Sequence, residues 1–151
     1  IPDSCEIQGT VRTFSNDVLD LIERRMKTVA DSTCAAFEAS CDFEFHRNYP
    51  ATVNHVAETD FARSLLAEVV GAENVLPYEP TMGSEDFSYF LQVKAGCYFM
   101  IGNGDGAHRA LGHGEGPCML HNPNYDFNDD LIPLGGTAWV RLAEKWLNTP
   151  R

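Results

Sequence analysis

"SNDVLDLIERRMKTVADSTCAAF", residues 15 to 37, is the stretch of this 151-residue chain that decides the fold prediction. Ser15 or Asn16 can cap the amino end of a helix, and two aspartates follow where the helix dipole favours negative charge. Apolar side chains then recur on one face at helical spacing, at Val18, Ile22, Met26 and Val29. The stretch therefore predicts an amphipathic helix.

The segments on either side of this helix change to a period of two. Apolar and polar residues alternate from Cys5 to Phe14 and again from Cys41 to Arg47. Alternation of this kind is typical of half-buried strands, in which successive side chains point to opposite faces. Residues 1 to about 50 are therefore predicted to form a β-α-β unit.

The rest of the chain continues the mixture of helices and strands. A helical pattern reaches Gly71, whose conformational freedom suits a helix end. Ser84 is placed to cap a short helix, and "CYFMI", residues 97 to 101, has the continuous apolar character of a buried strand. Pro133 suits the first turn of a last helix. We therefore predict an α/β fold.

Composition restricts the class of partner. Eleven Lys and Arg face 22 Asp and Glu, and the resulting net charge of -11 repels phosphate backbones and anionic lipid. No apolar run approaches the roughly 20 residues that span a bilayer. We expect no nucleic acid and no membrane, and a small molecule or another protein as partner.

The cysteines and the first residue bear on location and completeness. Five cysteines, an odd number without a CxxC pair, indicate reduced thiols in a cytoplasmic protein. The chain begins with Ile rather than Met. We therefore expect it to be a piece of a longer protein.

A glycine-rich loop, residues 102 to 117, suggests a phosphate cradle but lacks both glycine patterns that form one. Its histidines, His108 and His113, are interpreted as exposed side chains of a mobile surface loop. Cys118 follows the loop among apolar neighbours, which would raise a thiol pKa, so a structural cysteine is favoured over a nucleophile.

"MLHNPNYDFND", residues 119 to 129, contains the best single candidate for a site. Asp126 and Asp129 could fix the imidazole of His121 as partners of a metal-bound histidine do. A lone histidine in a turn is nevertheless more often structural, and a catalytic zinc site needs about three protein ligands. Spacing alone leaves both interpretations open.

Five stretches carry a family resemblance: "IPDSCEIQGTVRTF", "NYPATVN", "TMGSEDFSYF", "CYFMIGNG" and "LHNPNYDFND". In this order they resemble the C-terminal part of the metal-dependent amidohydrolases that include hippurate hydrolase, N-acyl-amino-acid aminoacylases and auxin-amino acid conjugate hydrolases. The resemblance runs over nearly the whole chain. "MGSEDF" together with "LHNPNYDF" is much more specific than either motif alone.

The resemblance implies an architecture and an activity. It implies that residues 1–53 are the second, ferredoxin-like half of a lid or dimerisation domain, and that 54–151 are the C-terminal segment of an α/β catalytic domain. The parent protein would hydrolyse the amide bond of N-acyl amino acids at a dinuclear site of zinc, manganese, nickel or cobalt, with a glutamate as base.

The resemblance also implies roles for individual residues. His121 matches the last metal ligand of the family. The residues that match the substrate loop or lie where the lid strand returns to the cleft form a substrate-binding group: Tyr49, Asn54, Met82, Gly83 and Ser84.

The sequence departs from the family by lacking a Cys-Gly-His motif and a Glu-Glu pair. With His121 as its single expected ligand, the isolated chain is predicted to be inactive, without catalytic residues of its own and without a tightly bound metal. A rival hypothesis is a free-standing, non-catalytic association module with a structural His121. Exposed strand edges and apolar side chains in residues 1–50 also predict a homodimer.

Overall fold

The computed structural model describes residues 2–104, 106–109, 120–123 and 125–149. These residues form α1 (Asn16–Ala36), α2 (Val56–Val70), α3 (Phe87–Val93) and α4 (Leu131–Asn148), with one 3-10 turn at Ala72–Asn74. The chain divides into two compact units. Unit 1 consists of Ile1–Val53 and Tyr78–Ala95, and unit 2 consists of Asn54–Pro77 and Gly96–Arg151.

The α/β prediction, with its ferredoxin-like β-α-β half, is wrong, because no strand occurs anywhere in the described ranges. Alternation predicts an extended chain, but a strand also requires a neighbour that pairs with its N–H and C=O groups. In the predicted strand 97–101, Tyr98 instead bonds the side chain of Asn54 through both backbone groups. Residues 5–10 of the first predicted strand, which runs from Cys5 to Phe14, are all exposed.

The helix prediction for residues 15 to 37 is confirmed by α1. Ser15 has an extended backbone, with φ -141° and ψ 149°, and its Oγ accepts a hydrogen bond from the Val18 amide at 3.3 Å. Ser15, rather than Asn16, is therefore the cap. None of the residues of α1 is buried.

Unit 2 is built around the contact between α2 and α4. Leu65 and Ala62 of α2 and Ala138 of α4 are its buried apolar side chains in the described part of the chain. The rings of Phe61 and Trp146 meet edge to face with their centroids 5.2 Å apart. The apolar contact between these two helices therefore provides the core of unit 2.

Unit 1 has its buried residues, Ser88 and Leu91, on α3. The Ser88 hydroxyl donates to the Glu85 backbone carbonyl at 2.6 Å, which satisfies its polar group inside the protein. The lid and catalytic-domain assignments of 1–53 and 54–151 stay predictions. None of the described helices is long and apolar enough to cross a bilayer.

Candidate functional site

The predicted substrate loop, Met82 to Ser84, lies in unit 1 just before α3, and all three residues are exposed. Ser84 was expected to cap α3, but that helix begins after Asp86. The Ser84 hydroxyl instead accepts a hydrogen bond from the guanidinium of Arg12. Arg12 is thus a neighbour of the loop that sequence reasoning missed. It lies 72 residues away, and no local spacing signals the contact.

Tyr49 lies beside the helix that follows this loop. Its ring contacts the ring of Tyr89 on α3, with centroids 5.7 Å apart and planes inclined by 55°. The Tyr89 hydroxyl donates to the backbone carbonyl of Asn48. One ring contact at Tyr49 and one hydrogen bond at Asn48 therefore connect this segment to α3.

Asn54 lies in unit 2, two residues before the start of α2, and both polar atoms of its side-chain amide form hydrogen bonds. Nδ2 donates to the Tyr98 carbonyl at 2.7 Å, and Oδ1 accepts from the Tyr98 amide at 2.8 Å. The neighbouring His55 adds two bonds to Gly96, through its own backbone amide at 3.0 Å and its Nδ1 at 3.2 Å. These contacts fix a backbone segment, and substrate binding by Asn54 stays a prediction.

His121 is exposed and has φ 69°, in the left-handed region that non-glycine residues seldom occupy. The turn after it is closed by a hydrogen bond from the Tyr125 amide to the Asn122 carbonyl at 2.9 Å. The orientation of its imidazole by Asp126 and Asp129, expected from the sequence, stays a prediction.

A compact set of hydrogen bonds holds the chain that follows His121. Asn103 donates from Nδ2 to the Asp126 carbonyl at 2.9 Å and accepts at Oδ1 from the Asn128 amide at 2.8 Å. His108 bonds the same Asp126 carbonyl through Nε2 at 3.0 Å. His108 is therefore half-buried and held, not the exposed side chain expected for this loop. His113 and Cys118 lie outside the described residues.

The residues that the structure describes do not assemble a complete metal site. Among them, no group of three or more His, Cys, Asp and Glu side chains is placed to hold an ion. The six predicted site residues divide between the units, with Tyr49 and the 82–84 loop in unit 1 and Asn54 and His121 in unit 2. His121 on its own offers a metal ion one imidazole nitrogen as ligand.

The chain is similar in sequence to several known proteins. Amidohydrolase YhaA of Bacillus subtilis (strain 168) is 34% identical over 133 residues, which cover 87% of this chain and 32% of YhaA. Thermostable carboxypeptidase 1 of Saccharolobus solfataricus is 32% identical over 149 residues, 98% of this chain and 36% of that protein. Hippurate hydrolase of Campylobacter jejuni is 28% identical over 148 residues, 97% of this chain and 36% of the hydrolase.

The chain thus spans about a third of the length of these relatives. No solved structure matches it significantly. The sequence profile of peptidase family M20/M25/M40 matches residues 4–145. Because that match extends from the segment before α1 to the last turns of α4, the chain belongs to peptidase family M20/M25/M40.

Proposed function

We propose that the protein to which this chain belongs hydrolyses the amide bond of N-acyl amino acids such as hippurate. The family match over residues 4–145 is the observation that carries the proposal. Two alignments support it. One with a hippurate hydrolase covers 97% of the chain, and one with an amidohydrolase covers 87% of the chain. The products of such a hydrolysis are the free acid and the free amino acid.

The proposed roles follow the motifs that the family resemblance covers. The family is generally metal-dependent, and His121 is the proposed ligand from this chain, for zinc, manganese, nickel or cobalt. The exposed loop Met82 to Ser84 and Tyr49 are proposed to contact the substrate. That the chain performs no catalytic step of its own stays a prediction.

Two assays test this function. The complete protein that contains this chain should release the amino acid from hippurate or N-acetyl amino acids in the presence of zinc, manganese, nickel or cobalt. The 151-residue chain alone should not. In the complete protein, His121→Ala should remove most of the activity, because a lost ligand weakens a metal site.

His46→Ala is the matched control, since His46 is an exposed histidine of unit 1 paired with Glu44 at 3.2 Å. It should leave the rate unchanged. An unchanged rate in His121→Ala would refute the ligand assignment. A complete protein inactive on every N-acyl amino acid would refute the substrate class and favour the association module.

The proposed partner is a second copy of the chain, contacting it through residues 1–50. Since no strand edge is available in the described part of these residues, association would rest on their exposed apolar side chains, of which Ile7 is 92% exposed. Light scattering at micromolar concentration should give the mass of a dimer. Ile7→Asp should give a monomer, whereas Leu76→Asp, at a site in unit 2 that is 75% exposed, should not. A wild-type monomer would refute this partner.

A cytoplasmic location is proposed on the cysteines. Cys5, Cys34, Cys41 and Cys97 are free thiols, as the reducing cytoplasm maintains them. Fractionation of cells expressing the complete protein tests this location, and recovery outside the cytoplasmic fraction would contradict it.

A further inference from the structure

Two asparagine side chains in unit 2 perform the same task at the two ends of one backbone segment. Asn54 pairs with both backbone groups of Tyr98, and Asn103 pairs with the Asp126 carbonyl and the Asn128 amide. Each side-chain amide thereby supplies the donor and the acceptor that a neighbouring strand would otherwise supply. Residues 98 to 103 are therefore fixed at one end to the start of α2 and at the other to the segment before α4.

The second of these pairings lies close in sequence to the candidate ligand. His121 precedes Asp126 by five residues, a length of chain that spans at most roughly 17 Å when fully extended. The turn between Asn122 and Tyr125 shortens that reach. The position of the Asp126 carbonyl therefore limits where His121 can lie.

Asn128 makes this anchor rigid on its other side. Its Oδ1 accepts from the Asp130 amide at 3.2 Å, and its backbone carbonyl accepts from the Leu131 amide at 3.0 Å. Residues 126 to 128 are thus held both by Asn103 and by the first residues of α4. A bond lost at Asn103 would leave these residues attached to α4 and to His108, which also bonds the Asp126 carbonyl.

We propose that Asn103 and His108 are positioning residues that hold His121 in place through the Asp126 backbone. His108 contributes because the Asp126 carbonyl can only accept, so the Nε2 of His108 must carry a hydrogen. A single carbonyl oxygen thereby receives two donors, from two residues of one short segment. The relevance of this positioning to catalysis rests on the proposed ligand role of His121.

Substitutions that change one hydrogen-bonding capacity at a time test the proposal in the 151-residue chain. Asn103→Asp keeps the acceptor for the Asn128 amide but turns a second oxygen toward the Asp126 carbonyl. His108→Phe keeps a ring and removes the donor, whereas His108→Gln restores an N–H donor. The matched control is Asn54→Asp, which damages the equivalent pairing with Tyr98 at the other end of the segment.

The fold should survive these changes, because the segment keeps apolar contacts with α4. The rings of Phe99 and Trp139 are 5.7 Å apart, and the Ile101 side chain lies against Gly135. Circular dichroism checks that each variant keeps the helix content of the wild type. Local effects can then be separated from loss of structure.

The primary measurement is the NMR signal of the carbon-bound ring hydrogens of His121 in histidine-labelled protein. The signal is assigned by its absence from the spectrum of His121→Ala. Asn103→Asp and His108→Phe should move or broaden this signal, and His108→Gln should return it toward the wild-type position. Asn103→Ala should also speed hydrogen exchange of the Asn128 amide about tenfold, in line with the loss of one hydrogen bond. Asn54→Asp should leave the His121 signal unchanged.

An unmoved His121 signal in both Asn103→Asp and His108→Phe would overturn the proposal, as would an equal shift in Asn54→Asp. The rate of His121→Ala in the complete protein decides the proposed function separately from this result. If that variant keeps the wild-type rate, the ligand role fails. The positioning role is still decided by the variants, which are measured without metal.

Discussion

Helix α1 in unit 1 and helix α2 in unit 2 acquire their stability in different ways. Helix α1 is preceded by Ser15, whose side chain caps it, and buries none of its residues. Helix α2 is preceded by His55, whose side chain does not cap it, and buries Ala62 and Leu65 against α4. The comparison teaches that local chemistry is enough to start a helix, whereas only a partner element can bury its apolar face.

In unit 1, polar contacts of α1 add to the difference between the two helices. Arg47 forms ion pairs with Asp20 at 2.7 Å and with Glu23, and the hydrogen bonds to these carboxylates raise the pKa of the guanidinium above its usual value. An open groove of about 470 Å³ lies between the polar side chains of α1 and the rings of Phe43 and Phe45. The ion pairs of Arg47 with α1 are exposed, and exposed pairs of this kind contribute little to stability.

The largest effect is expected from a substitution that weakens the apolar contact between α2 and α4 in unit 2. Leu65→Ala removes a side chain with 0% exposure and should lower the free energy of unfolding by about 2–5 kcal/mol, because it leaves a cavity. Urea unfolding followed by tryptophan fluorescence measures this locally, since both tryptophans, Trp139 and Trp146, lie on α4.

Val29→Ala in α1, followed by circular dichroism in urea because both tryptophans lie on α4, is the matched control, since Val29 is apolar but 55% exposed. Its effect should remain within about 0.5 kcal/mol, as is usual for surface substitutions. Equal losses in Leu65→Ala and Val29→Ala would show that α1 buries its apolar face as α2 does, and the comparison would fail.

A smaller effect is expected from removing the side-chain cap of α1. Ser15→Ala should cost about 1 kcal/mol, because the Val18 amide loses its side-chain acceptor. Asn16→Ala is the control and should cost less, since Asn16 is already the first residue of the helix. Urea unfolding followed by circular dichroism compares the two variants. A larger loss in Asn16→Ala would identify Asn16 as the effective cap.

These differences explain how much of the fold could be predicted from the sequence. The start of α1 was predictable because Ser15 and the amide it caps are three residues apart. The end of α2 was predictable because the chain needs a positive φ there, 87°, and glycine, at Gly71, adopts it readily. The strands were not, because their pairing depends on distant residues. Tyr98, for example, pairs with a side chain 44 residues earlier, at Asn54.

The candidate site shows the same limit. The motifs were sufficient to assign the family, which the profile over residues 4–145 confirms. The contact of Arg12 with Ser84 and the anchoring of Asp126 by Asn103 and His108 were missed, because each joins residues at least 18 positions apart. Neither contact has a periodic signature.

The aromatic contact in unit 2 provides a finer test of packing. Phe61 and Trp146 meet edge to face, a geometry worth about 0.5–1.5 kcal/mol beyond the area it buries. A double-mutant cycle with Phe61→Leu and Trp146→Leu, followed by circular dichroism in urea, should give a coupling energy in this range. Additive losses would show that the two rings only bury area and do not interact specifically.

The smallest expected effect concerns pH and the ion pairs between α2 and α4. Glu68 accepts a hydrogen bond from Lys145 at 2.6 Å, and this bond, with the charges of Lys145 and of Arg141 at 3.6 Å, lowers the pKa of its carboxyl below the ordinary 4.5. Folding therefore favours the ionised carboxylate. The resulting stability is fully present above pH 4.5 and is lost as the pH falls from there through the lower folded pKa.

Glu68→Gln should remove this dependence, so its melting temperature should fall less than that of the wild type between neutral pH and pH 3. Glu144→Gln, at an exposed site on α4, is the control and should follow the wild type. The difference should be small and should shrink in 1 M salt, because exposed pairs are screened. A Glu68→Gln variant with an unchanged acid profile would show that α2 and α4 are held together by their apolar contact alone, which would sharpen the contrast with the charged surroundings of α1.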